Sequence, residues 1–142
     1  MRFFLSYKFT NADKNKLRGL LELVTGVLEQ KGLTSFSFFR DIQKWGSIET
    51  NRNKIIPLAL NELQKSDALL VIIDADAKST GMGIEVGYAA AKDKPIYVLK
   101  RQGIKDDYIE SIAQSIEEYA DENEIQLKLK NFLEKTSQHL PR

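Results

Sequence analysis

The chain has 142 residues, of which 42% are hydrophobic and 29% charged, and a formal net charge of +1. These values fit one globular domain over residues 1–142 with an ordinary core, and they give no basis for binding a nucleic-acid polymer. With no cysteine and a single histidine, His139, the chain offers no disulfide, no thiolate nucleophile, no Cys/His metal site and no Ser-His-Asp triad.

The chain opens on a short apolar run, Phe3 to Tyr7, which reads as a buried first strand. Met1 to Leu5 is too short before Ser6 and Lys8 for a signal peptide. No stretch is apolar enough to span a bilayer, so a cytoplasmic protein without membrane partners is expected. Thr10 and Asp13 resemble a capping box for a helix over Asp13 to Gln30, which Gly32 would stop. Its stripe is Leu17, Leu20, Leu21, Val24, Val27 and Leu28. Thr34 to Phe39 alternates serine and phenylalanine and reads as a strand. Arg40 to Asn51, with Trp45 and Gly46, reads as a long loop of the kind that carries specificity. Arg52 to Lys65 is the second helix, and Pro57 inside it marks a late start or a kink.

Ala68 to Ile73 is the most apolar strand. It ends in Asp74 and Asp76, and a helix of small and apolar residues then runs to about Lys92. Pro95 to Leu99 is a fourth strand, Asp106 to Gln114 a short helix, Ser115 to Tyr119 a fifth strand and Asp121 to Ser137 an amphipathic last helix. Strands alternating with helices predict an α/β fold, a three-layer α/β/α stack around a parallel sheet. Five strands fit a flavodoxin-like, doubly wound order 2-1-3-4-5, whose switch point lies between the first and third strands. The loops Ser6 to Ala12 and Asp74 to Gly81 meet there.

Glu85 is the one charge in the helix after the third strand. A carboxylate there costs desolvation energy unless it is paired or used, and a place in the first turn would lower that cost through the helix dipole. It reads either as a dipole-complementing acid or as a catalytic carboxylate. Asp74 and Asp76 read as loop caps or as acid partners and ribose anchors. Ser79 and Thr80 cap the helix, and with the N–H groups of Gly81 and Gly83 they offer a phosphate cradle. Lys8 and Lys78 read as surface lysines or as added charge for a phosphate, Ser6 reads as a phosphate or sugar contact, and Tyr7 either orients a carboxylate or fills space. The glycine pattern is not GxGxxG, so a dinucleotide fingerprint is absent. A carboxylate beside a sugar and phosphate pocket suits glycosidic-bond chemistry and needs no metal or cofactor.

The stretches Asp67-Ala68-Leu69-Leu70-Val71-Ile72-Ile73, Ser79-Thr80-Gly81-Met82-Gly83-Ile84-Glu85-Val86-Gly87-Tyr88-Ala89 and Lys94-Pro95-Ile96 resemble the nucleoside 2-deoxyribosyltransferase family. They look closest to its deoxynucleoside 5'-monophosphate N-glycosidase branch. The resemblance implies that Glu85 is the nucleophile at the anomeric carbon. It also implies that Ser79, which stands where the transferases carry an aspartate, binds a 5'-phosphate. Family relatives are often dimers or larger, which implies a homo-oligomer. Two positions depart from the pattern. Ala59 stands where the family often has a catalytic aspartate, and the family's first-strand tyrosine falls near Phe4 while the tyrosine here is Tyr7. A second resemblance, to TIR domains, rests on Phe4-Leu5-Ser6-Tyr7 and the helical glutamate. It implies either an NAD hydrolase or a non-catalytic nucleotide-sensing module. The residues after the first strand are neither acidic enough for a response-regulator receiver nor glycine-rich enough for a flavodoxin.

Overall fold

The structure is a computed structural model that describes residues 1–76 and 78–136. His139 and the expected end of the last helix at Ser137 lie outside the described residues. Five strands alternate with helices: β1 (Arg2–Tyr7), α1 (Lys14–Gln30), β2 (Thr34–Phe36), α2 (Phe38–Asp41), a 3-10 turn (Lys44–Gly46) and α3 (Arg52–Gln64). β3 (Ala68–Ile73), α4 (Thr80–Ala91), β4 (Ile96–Arg101), α5 (Asp107–Ser111), β5 (Ser115–Tyr119) and α6 (Glu122–Thr136) follow. All strand pairs are parallel and the order is β2-β1-β3-β4-β5, the order the sequence predicts.

The side-chain period of two divides the sheet between two cores. Phe3, Leu5, Leu70, Ile72, Tyr97 and Leu99 face α1 and α6, where Phe132 packs edge-on against Tyr97 at 4.8 Å. Phe4, Leu69, Val71, Ile73, Ile96 and Val98 face α3 and α4. Ser6 follows Phe4 onto the second face, and this alternation aims its hydroxyl at α4.

Several local expectations need correction. Asp13, not Thr10, caps α1, accepting from the N–H groups of Asn15 and Lys16. Gly32 does end that helix, in a left-handed conformation (φ 74°). Its N–H reaches the Glu29 carbonyl while the Leu33 N–H reaches Leu28, which is the Schellman arrangement. β2 stops at Phe36, because the Asp41 carboxylate takes the Ser37 N–H at 2.9 Å and starts α2 where alternation suggested more strand. The segment read as a long loop from Arg40 to Asn51 contains the end of that helix and the 3-10 turn. Phe39 holds it in place by packing edge-on with Phe9 at 5.3 Å and Trp45 at 5.2 Å, with Arg18 4.6 Å over the indole. α3 does not start late. The Asn51 side chain caps it through the Asn53 N–H, and the helix continues across Pro57.

Candidate active site

Glu85 stands on the buried stripe of α4, three residues after Met82 and four before Ala89. The helix begins at Thr80, with the Ser79 hydroxyl accepting the Met82 N–H at 3.2 Å, so Glu85 falls in the second turn. No acid occupies the first turn, and the dipole compensation expected from sequence is correspondingly weak. Burial instead pushes the Glu85 carboxyl up from 4.5 to about 7, and a hydrogen bond from Ser6 partly opposes the rise.

That bond is short, 2.7 Å from the Ser6 hydroxyl to Glu85 Oε1. Ser6 is 1% exposed. Its hydroxyl is therefore a buried donor committed to the glutamate, not the phosphate or sugar contact expected from sequence. β1 and α4 thus cooperate: the strand's alternation presents the hydroxyl, and the helix stripe presents the carboxyl.

Glu85 opens on a cavity of about 170 Å³. Phe9, Phe38, Gln43, Ile55, Ile56 and Ala59 supply much of its wall, and Glu85 is its sole carboxyl among the described residues. Ala59 is 2% exposed and lines this cavity, so the residue that replaces an expected aspartate sits in the same space as the glutamate. Gln43, Phe9, Ile55 and Ile56 were not legible as site residues. They come from three separate segments and carry no local motif.

A second cavity of about 590 Å³ adjoins the first, and both share Tyr7, Ser79 and Met82 as walls. Lys8, Asp74, Asp76, Lys78 and Gly83 line the larger cavity, while Gly81 lines the Glu85 cavity. The sequence-predicted residues are therefore gathered at the switch point but divided between two compartments. Asp74 does not face Glu85 across its cavity. Its carboxylate accepts from Arg101 at 2.8 Å and from the buried Tyr119 hydroxyl.

The Tyr7 hydroxyl accepts the Phe39 N–H at 2.9 Å and shares a 3.0 Å hydrogen bond with Ser37. Burial pushes its phenol up to about 12, the two hydrogen bonds oppose the rise, and the nearby Glu85 charge adds to it. Tyr7 is a poor acid in this setting, and its hydrogen bonds tie β1 to α2.

Beyond its chain neighbours and its own helical backbone, a Cβ built at Gly81 would meet nothing within 4 Å, so packing does not require glycine there. The space beside it is cavity. Gly81→Ala is expected to leave stability unchanged or raise it by up to about 1 kcal/mol, since alanine is the better helix former. A bound ligand would meet the new methyl, so affinity should fall. Thermal melting beside ligand titration separates the two effects.

A parallel-sheet protein with a half-buried, hydroxyl-bound glutamate at the switch point is, by fold, a small α/β protein whose strand ends carry a carboxylate where such folds take their ligands. The chain belongs to the nucleoside 2-deoxyribosyltransferase family, whose family model matches residues 6–124. Solved structures agree on the fold. The CMP N-glycosidase BcmB of Clostridium botulinum is 22% identical, with 94% of this chain and 100% of that chain covered and a TM-score of 0.70. A 2-deoxyribosyltransferase from Bacillus psychrosaccharolyticus is 20% identical, covering 89% and 90%, at a TM-score of 0.65. A conserved protein from Enterococcus faecalis V583 is 16% identical, covering 94% and 99%, at 0.67. No curated protein matches the sequence.

Proposed function

We propose that the protein cleaves or transfers at the N-glycosidic bond of a nucleoside or its 5'-monophosphate, with Glu85 as nucleophile. The observation that carries this reading is Glu85, bonded by the buried Ser6 hydroxyl, opening on a largely apolar cavity beside a helix N-terminus. A desolvated carboxylate with a raised pKa is more basic and more nucleophilic than a solvated one. Ser6 fixes one oxygen and leaves the other for the anomeric carbon.

The nucleoside occupies the Glu85 cavity. Phe9 and Phe38 flank the base, and Gln43, whose amide both donates and accepts, reads its edge. Ser79 and the first N–H groups of α4 receive the phosphate. Glu85 forms an ester bond to the anomeric carbon as the carbon–nitrogen bond breaks. The electron pair goes to the base nitrogen, which takes a proton from solvent, since the cavity holds no second carboxyl among the described residues. Water, or a second base, then attacks the same carbon and releases the carboxylate. A proton passes from the attacking group to solvent.

The reading is tested by a chromatographic assay for released base on deoxynucleoside and ribonucleoside monophosphates, the free nucleosides and NAD. Base released from a nucleoside or its monophosphate supports it, and no release from any of them by folded protein overturns it. The pH profile tests the role of Ser6. Activity needs ionised Glu85, so it should rise with pH to a plateau above about 7. The Ser6 hydrogen bond favours the charged form, so Ser6→Ala should move the rising limb to higher pH. An unmoved limb would remove Ser6 from the mechanism.

A further inference from the structure

The small volume of the Glu85 cavity leaves the larger one unexplained. Sites for drug-sized ligands usually enclose ~300–1,000 Å³. The Glu85 cavity, at about 170 Å³, falls below that range, and its neighbour, at about 590 Å³, falls within it. The wall between them carries Ser79, where the proposed function seats the 5'-phosphate. A group that extends beyond that phosphate has the larger cavity next to it.

The chemistry of the larger cavity is specific. Lys8, Lys16, Lys78 and Lys105 line it, and the ammonium groups of Lys8, Lys16 and Lys78 have no ion-pair partner among the described residues. Five aspartates also line it, but three are engaged. Asp74 holds Arg101 and Tyr119, Asp13 caps α1 and Asp106 caps α5. Asp76 and Asp107 are exposed at its edge. Ile72, Ile73, Ile104 and Ile109 give it apolar walls. Tyr108 stands on its rim, 83% exposed, the most exposed large aromatic or aliphatic side chain among the described residues. An exposed tyrosine beside free lysines matches the two needs of a nucleotide, a stacking face and phosphate neutralisation.

We infer that the larger cavity is a second nucleotide compartment, and that the protein takes pyrophosphate-linked dinucleotides, with the second phosphate on Lys8, Lys16 and Lys78 and the second base stacked on Tyr108. This rests on the proposed function for the placement of the first nucleotide.

The test is equilibrium binding to the Glu85→Gln protein, which on the proposed function does not turn the ligands over. Paired probes share the first nucleotide: nicotinamide mononucleotide against NAD, and AMP, CMP, GMP and UMP each against its symmetric dinucleoside diphosphate. For at least one pair the dinucleotide should bind roughly tenfold or more tighter. Tyr108→Ala should remove that gain, and Tyr108→Phe should keep it. Tyr108 is exposed, so both variants are expected to fold. Equal affinities within every pair, or a gain that Tyr108→Ala leaves intact, overturns the compartment. Base release by the wild-type chain reports separately on the glycosidic reading. Monophosphates cut without any dinucleotide gain would sink the compartment alone. A Tyr108-dependent gain with no base ever released would sink the glycosidic reading alone. No binding by any probe overturns the compartment as well.

Discussion

Glu85→Gln should abolish base release and, at the same time, make the protein more stable above pH 7. The first effect follows from removing the nucleophile, and a loss of at least ~10³-fold is expected. The second follows from linkage. The Glu85 carboxyl titrates at about 7 in the folded protein against 4.5 as its ordinary value. The native state therefore holds its proton more tightly than the unfolded chain between those values. In that window stability falls as pH rises, because the unfolded chain gives up its proton first. The cost is absent below about 4.5 and complete above about 7. A shift of this size corresponds to roughly 3 kcal/mol, and the group is buried enough that solvent screening removes little of it.

Glutamine keeps the shape and the acceptor for the Ser6 hydroxyl but carries no charge. The variant should melt roughly 5–10 °C above wild type at pH 8 and close to wild type at pH 4.5. Melting curves at both pH values, run beside the base-release assay, check both halves. A variant that loses activity without gaining stability at pH 8 would mean that the carboxylate is not held at a desolvation cost. One that keeps activity would remove Glu85 as nucleophile. The pairing matters because a glutamate held by net favourable contacts would lose stability on substitution, whereas one held at a desolvation cost gains it.

The frame of this fold was legible because each strand is written as its own apolar run. Phe3 to Tyr7, Ala68 to Ile73 and Pro95 to Leu99 are short, and helix-period stripes separate them. Right-handed crossovers then leave few sheet orders, of which 2-1-3-4-5 is the one that fits five strands in this rhythm. Glu85 was legible as the only charge in α4, but its environment was not. That depends on where the helix starts, and the Ser79 cap moves the glutamate into the second turn and onto the buried stripe. The consequence is a change of cause: burial, not the dipole, governs the carboxyl.

Ser6 shows a different limit. Its loop position suggested a ligand contact, while the alternation already present in Phe4 and Ser6 puts it on the α4 face. Nothing local marks Gln43, Ile55 or Ile56. They reach Glu85 only because α2, the 3-10 turn and α3 fold over the β1 end, and Trp45 and Phe39 hold that segment. Side chains brought together from distant segments are a product of tertiary packing, which periodicity does not encode.

Asp74 is where sequence and geometry differ most, and the difference yields a large and separable effect. As an acid partner of Glu85 it would donate a proton to the leaving base, and Asp74→Asn would cost ~10²–10⁴-fold in rate. In the structure its carboxylate is an anchor. It accepts from the Tyr119 hydroxyl and from Arg101, so it ties the end of β3 to the ends of β4 and β5. Burial and the adjacent Asp74 carboxylate push the Tyr119 phenol well above its usual range, so its proton stays in place to donate.

Asp74→Asn keeps an oxygen for Tyr119 and should hold activity within about tenfold of wild type. Asp74→Ala leaves the hydroxyl of a tyrosine that is 0% exposed without its acceptor, which costs ~1–3 kcal/mol. The Arg101 ion pair is partly exposed on both sides and adds little. Tyr119→Phe in the Asp74→Ala background removes the orphaned hydroxyl and should recover much of the loss. That non-additivity is the signature of the pair in a double-mutant cycle. A large rate loss in Asp74→Asn at unchanged stability would return Asp74 to the chemistry and require the larger cavity to open toward Glu85 during turnover. A stability loss in Asp74→Ala that Tyr119→Phe recovers would fix Asp74 as the clamp that shapes that cavity's wall.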